Sequence, residues 1–390
     1  MNIRRQSPNE KILTERKPYR VIISGGGTGG HIYPAIAIAN ALRTLHSDTE
    51  ILFVGAKGRM EMQKVPEAGY AIEGLWISGL QRKLTIDNLA FPIKIISSSF
   101  KANQIINEFK PQAAVGVGGF ASGPLVYVAS LRRVPSLLQE QNSYAGLTNK
   151  MLANQVSKIC VAHPGMEKFF PADKLVFTGN PIRKEIVELA QQELSSKKKE
   201  GTEYFDLDPK KKTLLVIGGS LGARTLNESI INNIQTLVEA NVQVIWQSGK
   251  YYYEKMNEQL VAIPNHEGIQ LREFLNRMDL AYSVADVVIS RAGALSISEL
   301  ALVQKPVIFV PSPNVAEDHQ RKNAEALVRA KAALMITDAE APSSLIKQAL
   351  ALLTDESQQQ QLQQNIKQWA RPEAANHIAQ EVVKLIEEKP

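Results

Sequence analysis

The sequence predicts an α/β fold of two Rossmann-like domains whose parallel sheets face each other across a cleft. Three observations predict it. Short Val- and Ile-rich runs alternate with longer amphipathic stretches, the pattern of parallel strands covered by helices on both faces. A strand–glycine–helix unit occurs twice, once at the opening of each half of the chain. The length, 390 residues, is enough for two separate hydrophobic cores.

The elements follow in order. Residues 1–18 are polar and lack the apolar centre of a secretory signal, so they read as a loose tail. Candidate strands in the first half are Arg20–Ser24, Ile51–Val54, Ala113–Val117, Ser136–Gln139, Lys158–Val161 and Leu175–Thr178. The second half offers Thr213–Ile217, Gln243–Trp246, Ile269–Arg272, Val287–Ile289 and Val307–Val310. After Ser24 comes Gly25-Gly26-Gly27-Thr28-Gly29-Gly30, then a helical spacing of Ile36, Ala37, Ala41, Leu42 and Leu45. After Ile217 comes Gly218-Gly219-Ser220-Leu221-Gly222-Ala223, then Leu226, Ile230, Ile234 and Leu237. The boundary falls near Gly179-Asn180-Pro181. The lysine-rich stretch 191–212 reads as a solvated helix end and loop. The glutamine run 358–364 reads as a solvated helix face, and a last helix is expected over Ala374–Glu388.

Composition narrows the class without naming a partner. A formal net charge of +6 suits a polyanion, an acidic membrane surface or a diphosphate ligand. The single cysteine, Cys160, excludes an intrachain disulfide and reads as a small core residue, since no nucleophile signature surrounds it. The uncharged run 111–131 is long enough to raise a membrane span, but Gly116, Gly118, Gly119, Gly123 and Pro124 break it. A strand, a loop and a helix start explain it, and no transmembrane span is expected.

The first glycine loop matches G-x-G-x-x-G through Gly25, Gly27 and Gly30. A dinucleotide would want a carboxylate at the end of the second strand, where Gly55-Ala56-Lys57 stand instead, with Glu50 at the opposite end. That disfavours NAD. The loop's backbone N–H groups and the following helix dipole still suit an anion. His31 follows at the helix start, where the dipole favours a neutral imidazole able to accept a proton. A capping or ligand-positioning histidine fits the position equally well. In the second half, Ser220 and Arg224 suit a diphosphate. Glu299, in Ser290–Glu299, suits a ribose or the first turn of a helix. Gln320, after Asp318-His319, suits sugar hydroxyls or a helix start. Asp206-Leu207-Asp208 precedes Pro209 and three lysines and reads as a solvated loop, not a metal site. Between residues 76 and 100, Trp76, Ile77, Leu80, Leu84, Leu89, Phe91, Ile93, Ile95, Ile96 and Phe100 mix with Arg82, Lys83, Lys94 and Lys101. These suit an interfacial contact or a core.

Taken together, these segments resemble one family. They are Ser24–His31 with Pro34, Gly118–Pro124, Glu140-Gln141-Asn142, Ala145–Lys150, Gly179–Arg183, Gly218–Arg224, Arg291–Glu299 and Asp318–Ala324. In that order, from about Tyr19 to the C-terminus, they are similar to the MurG family of undecaprenyldiphospho-muramoylpentapeptide β-N-acetylglucosaminyltransferases. The resemblance implies a GT-B fold with residues 19–182 as an acceptor and membrane-side domain and 183–373 as a UDP-GlcNAc domain. The helix at about 374–390 is expected to pack back on the first. It implies donor contacts at Thr28, Gly29, Gly30, Asn142, Arg183, Ser220, Leu275, Gln320 and the run Ala294, Leu295, Ser296, Ile297, Ser298, Glu299. Ser220 would meet the diphosphate, the Leu275 backbone the uracil, Glu299 the ribose and Gln320 the sugar. His31 would be the base, and no cofactor or metal is expected. Implied partners are UDP-GlcNAc, lipid I, an anionic membrane surface and other cell-wall synthesis proteins, with no nucleic acid. The implied place is the cytoplasmic face of the plasma membrane. Phe120 stands where the family often has tyrosine, and His319 where a second glutamine occurs; the loop 312–317 differs in length. Rival readings are a UDP-GlcNAc 2-epimerase, a glycolipid glycosyltransferase and a non-catalytic nucleotide-sugar-binding subunit.

Overall fold

Strand β1 (Arg20–Ser24) buries Val21 to Ser24 consecutively, as a strand covered on both faces requires. The computed structural model describes residues 18–79, 90–191, 194–219, 221–315 and 318–388. In its first lobe β1 is joined by β2 (Glu50–Ala56), β3 (Ala71–Leu75), β4 (Ala113–Gly116), β5 (Ser136–Glu140), β6 (Lys158–Val161) and β7 (Leu175–Phe177). These seven strands form one sheet in the order β3-β2-β1-β4-β5-β6-β7, and every pairing is parallel. The second lobe contains β8 (Thr213–Ile217), β9 (Gln243–Gln247), β10 (Ile269–Arg272), β11 (Val287–Ser290), β12 (Val307–Phe309) and β13 (Leu334–Met335). They too are all parallel, in the order β10-β9-β8-β11-β12-β13.

Both sheets reverse strand order next to their glycine-loop strand, between β1 and β4 and between β8 and β11. At such a reversal the connections leave toward opposite faces of the sheet. A crevice opens beyond the strands' carboxyl ends, and ligands bind there in this class of fold. The two-domain α/β class is therefore the one expected.

The predicted strands are present, with ends within two residues; β3 and β13 were not expected. Both are edge strands. β3 reads AIEGL, and its Glu73 and Gly74 interrupt the apolar signal a central strand would give. The lysine-rich stretch 191–212 also departs from expectation, because Leu194–Tyr204 is a helix. It packs on the helix Met278–Val284: Ser283 Oγ donates to the Lys197 carbonyl at 3.0 Å, and a Cβ on Gly201 would meet Val284 at 2.7 Å. Phe205, just beyond it, is buried in the second lobe's core. Tertiary packing outweighs the low helix propensity of a glycine there.

The helix Ala374–Glu387 lies against the first lobe. Its Ile378, Ala379, Val382 and Ile386 share a core with Val21, Ile38 and Leu42. Ile182, just after Pro181, packs instead with Ile186 and Leu189 in the core of the second lobe. The chain thus crosses between lobes at Asn180–Ile182 and returns near Arg371, whose side chain lies against Gly179. Cys160 is buried in the first core. Among the described residues no helix is long and apolar enough to cross a membrane, and no group of three or more His, Cys, Asp or Glu side chains could hold a metal ion. Asp206 and Asp208 are both exposed.

Candidate active site

The first glycine loop carries the chain from β1 into the helix Gly29–Leu45, with Thr28 extended at its start. His31 sits in the first turn, its N–H bonded to the Thr28 carbonyl at 3.1 Å. The loop after β4 closes over it. Gly118 and Gly119 adopt φ of +93° and +88°, a left-handed region that favours glycine. A Cβ on Gly118 would stand 2.8 Å from the His31 ring, and one on Gly119 only 2.4 Å from the Gly26 carbonyl. His31 Nδ1 is buried without a hydrogen-bond partner among the described residues. Burial lowers the imidazole pKa below 6.5, while Glu140, the Val117 carbonyl, Gln141 and Glu61 act in the opposite direction. The net result is a neutral imidazole at pH 7.

Glu140, at the end of β5, is buried and serves a tight turn. It accepts from the Asn142 N–H at 3.1 Å, the Gly146 N–H at 2.9 Å and Asn149 Nδ2 at 2.9 Å. Asn142 thereby has its backbone and amide directed by one carboxylate. Next to it, Gln141 Nε2 donates to the Val117 carbonyl at 2.7 Å and to Gln139. Gln139 in turn donates to Asn180 Oδ1 at 3.1 Å. Asn180 Nδ2 reaches Ser298 Oγ in the other lobe at 3.0 Å. A second bridge runs from Ser143 Oγ to Asn323 Oδ1 at 2.6 Å.

On the second lobe, the strand β11 leads through Arg291 and Gly293 into the helix Ala294–Val303. Ala294, Ile297 and Glu299 are buried, whereas Leu295, Ser296 and Ser298 are partly exposed. Ile297 and Leu275 belong to the hydrophobic core, which leaves their backbones as the polar groups they can offer. Glu299 pairs with Arg183 in a bidentate arrangement, and Tyr282 donates its hydroxyl to the same carboxylate at 3.1 Å. The Arg183 guanidinium also lies 4.9 Å from the Tyr33 ring centre, a cation–π contact reaching into the His31 helix. Gln320 accepts from the Ser312 N–H at 2.9 Å. Arg291 is held by the Val310 carbonyl at 2.9 Å and by Asp338, which Thr225 also bonds.

Several predicted residues thus come together: His31, Asn142, Arg183, Ser298 and Glu299 belong to elements joined by these bridges. Thr28, Gly29 and Gly30 line the same loop. Ser220 lies outside the described residues, as do Leu80, Arg82, Lys83, Leu84 and Leu89 from the apolar–basic stretch and residues 1–17 of the tail. Lys94 departs from its reading as an interfacial cation. It is buried, and its Nζ donates to Ser78 Oγ at 3.0 Å. Residue-by-residue reading missed Glu61, Gln139, Asn180 and Tyr282 as members of the polar network around the cleft. Glu61 had a signal: glycines at 26 and 55 flank the space its carboxylate fills.

Two Rossmann-like lobes, each with its strand-order reversal, joined by these bridges are the GT-B arrangement, and the sequence matches make the chain a glycosyltransferase of that type. The chain matches the Glycosyltransferase family 28 N-terminal domain over residues 21–161 and the C-terminal domain of that family over 213–380. It is 56% identical over 375 residues to a Cytophaga hutchinsonii protein, covering 96% of this chain and 99% of that one. It is 53% identical to a Parabacteroides distasonis protein, covering 96% and 100%. Both are named UDP-N-acetylglucosamine--N-acetylmuramyl-(pentapeptide) pyrophosphoryl-undecaprenol N-acetylglucosamine transferase. The crystal structure of Acinetobacter baumannii MurG superposes with a TM-score of 0.72 at 27% identity, covering 94% of this chain and 100% of that one. The chain belongs to the MurG family of N-acetylglucosamine transferases.

Proposed function

We propose that this enzyme moves N-acetylglucosamine from UDP-GlcNAc to the 4-hydroxyl of N-acetylmuramic acid in lipid I, undecaprenyl-diphospho-MurNAc-pentapeptide. The product is lipid II, a precursor of peptidoglycan. One observation carries the geometry of this reading. His31, whose pKa burial lowers, lies two residues from Tyr33 on the first-lobe helix Gly29–Leu45, and Tyr33 stacks on the Arg183 that leads into the second lobe. One helix thus carries the candidate proton acceptor and touches the cation of the second lobe, which supports a reacting centre between the lobes.

In this mechanism His31 takes the proton of the attacking hydroxyl as its oxygen bonds to C1. The C1–O bond to the diphosphate breaks, and UDP leaves with the electron pair. Inversion converts the α-linked donor into a β-1,4 product. Arg183, Ser220 and the helix starts at Gly29 and Ala294 stabilise the charge growing on the diphosphate. Leu275 offers its backbone to uracil, and Glu299, with Ala294 to Ser298, receives the ribose. Gln320 reads the sugar, while Thr28, Gly29, Gly30 and Asn142 complete the donor site from the opposite lobe. Residues 19–182 with the last helix serve the acceptor and membrane side; residues 183–373 serve the donor. No metal has a role in these steps.

The lipid acceptor places the first lobe at a membrane. Supporting this, Trp76, Ile93, Ile96 and Phe100 are 51, 61, 62 and 76% exposed around the helix Phe91–Phe109, although Ile77 is core. Large apolar side chains held in water at one surface suit peripheral contact with the cytoplasmic leaflet. The test is radiolabelled UDP-GlcNAc incubated with lipid I, with and without chelator. Label should enter lipid in both arms; label remaining in water-soluble sugar overturns the reading.

A further inference from the structure

Beneath the first glycine loop lies a buried carboxylate that the mechanism above does not use. Glu61 follows β2 at the start of the helix Glu61–Glu67 and is fully buried. Its Oε2 accepts from the Gly27 N–H at 2.9 Å, and its Oε1 accepts from the Ala56 N–H at 3.0 Å. One side chain thus staples the loop after β1 to the end of β2. Room for it exists only because two neighbours lack side chains. A Cβ on Gly26 would lie 2.2 Å from Oε1, and a Cβ on Gly55 would lie 2.5 Å from Cγ.

In a glycine loop of this kind, backbone N–H groups ordinarily turn toward a ligand phosphate. Here the Gly27 N–H is already committed to an internal anion. The loop can therefore hold its shape whether or not substrate is bound. Gly26 also carries the carbonyl against which Gly119 packs, and Gly118 packs on the His31 ring. The carboxylate, the loop, the β4 turn and the imidazole form one contiguous stack.

We infer that Glu61 is a positioning residue for transfer: its carboxylate sets the first glycine loop, and through that loop the His31 ring, against the reacting hydroxyl. The inference rests on His31 being the base. Two charged groups act on His31: Glu140 from the end of β5 and Glu61 from the helix after β2, with the Val117 carbonyl and Gln141 amide also beside it. Both carboxylates favour the protonated ring, so removing one should make His31 easier to deprotonate.

Glu61→Gln keeps an acceptor for one backbone N–H and sets an amide NH2 against the other. Expected is a fall in kcat of about tenfold or more, with KM for UDP-GlcNAc held within about twofold. The acid limb of kcat/KM should also move to lower pH. A purely structural role would lower the folded fraction and leave that limb in place, and this outcome overturns the inference. Gly55→Ala provides a second variant: it keeps the carboxylate but displaces it, and kcat should fall while UDP affinity, measured by calorimetry, is retained. Unchanged kcat in Gly55→Ala also counts against the inference. His31→Ala separates the two readings. An acid limb that persists in His31→Ala removes His31 as the base. A limb lost in His31→Ala but unmoved in Glu61→Gln removes only the role of Glu61.

Discussion

Arg183 grips Glu299 with two sides of its guanidinium, Nε lying 2.8 Å from Oε1 and Nη2 lying 2.9 Å from Oε2. The family resemblance implied both residues as donor contacts, with Glu299 on the ribose. In the structure each is the other's counter-ion, with side chains 13 and 4% exposed. Tyr282 supplies a further hydrogen bond to the carboxylate; burial and the Glu299 charge both raise its own pKa, keeping it a donor. In the proposed donor pose, ribose hydroxyls meet a carboxylate already oriented by two protein groups.

Breaking this pair should be costly. Removing one partner of a buried ion pair leaves an uncompensated charge and costs about 3–5 kcal/mol. Arg183→Met should lower the thermal midpoint clearly, and Arg183→Met/Glu299→Met should lower it by less than the sum of the single changes. Additive single and double variants would mean that the pair is not coupled.

Gly118→Ala should impair transfer and spare donor binding. Its Cβ would stand 2.8 Å from the His31 ring, at a backbone φ of +93°. The ring has to shift, and if His31 is the base as proposed, a displacement of about 1 Å can cost about a hundredfold in rate. Steady-state kinetics beside UDP calorimetry distinguish the two effects. A normal kcat would show that the ring tolerates the move.

Vesicle binding should depend on the apolar face of the helix Phe91–Phe109. Ile96→Glu with Phe100→Glu alters two residues that are 62 and 76% exposed, so folding should be preserved. Flotation with anionic vesicles should fall strongly, while UDP binding stays unchanged. Full flotation of the double variant would move the membrane contact elsewhere.

Stability should decline in mild acid partly through His163. Burial lowers its pKa from 6.5 to about 4, opposed by its hydrogen bond to the Gln141 backbone. Between these values the unfolded chain binds more protons than the folded one, so stability falls as pH drops from about 6.5 toward about 4. His31, also depressed by burial, adds in the same direction. His163→Gln should flatten the thermal midpoint against pH in this window without abolishing its slope. An unchanged slope would show that His163 does not contribute to it.

Cys160 should be silent in the native protein. Burial pushes its thiol up to about 12, with Glu381 adding to the rise. Maleimide labelling is expected only after denaturation, because the reactive thiolate is absent and the sulfur is inaccessible. Rapid native labelling would point to opening of the interface between the first core and the last helix.

The alternation of strands and helices, the two glycine loops and the placement of His31 after the first were all legible in the sequence. These are local properties: periodicity, φ freedom and helix starts are written in neighbouring residues. Edge strands such as β3 were less legible, because half-solvated positions weaken the pattern. Only tertiary structure decided that Glu61 reaches a glycine loop 34 residues away, that Asn180 bridges to Ser298 118 residues on, and that Arg183 closes on Glu299. It also turned Lys94 inward and made a helix of a lysine-rich stretch. Such pairings depend on which elements the sheet order brings side by side, and that order is set by collective burial rather than by any one segment.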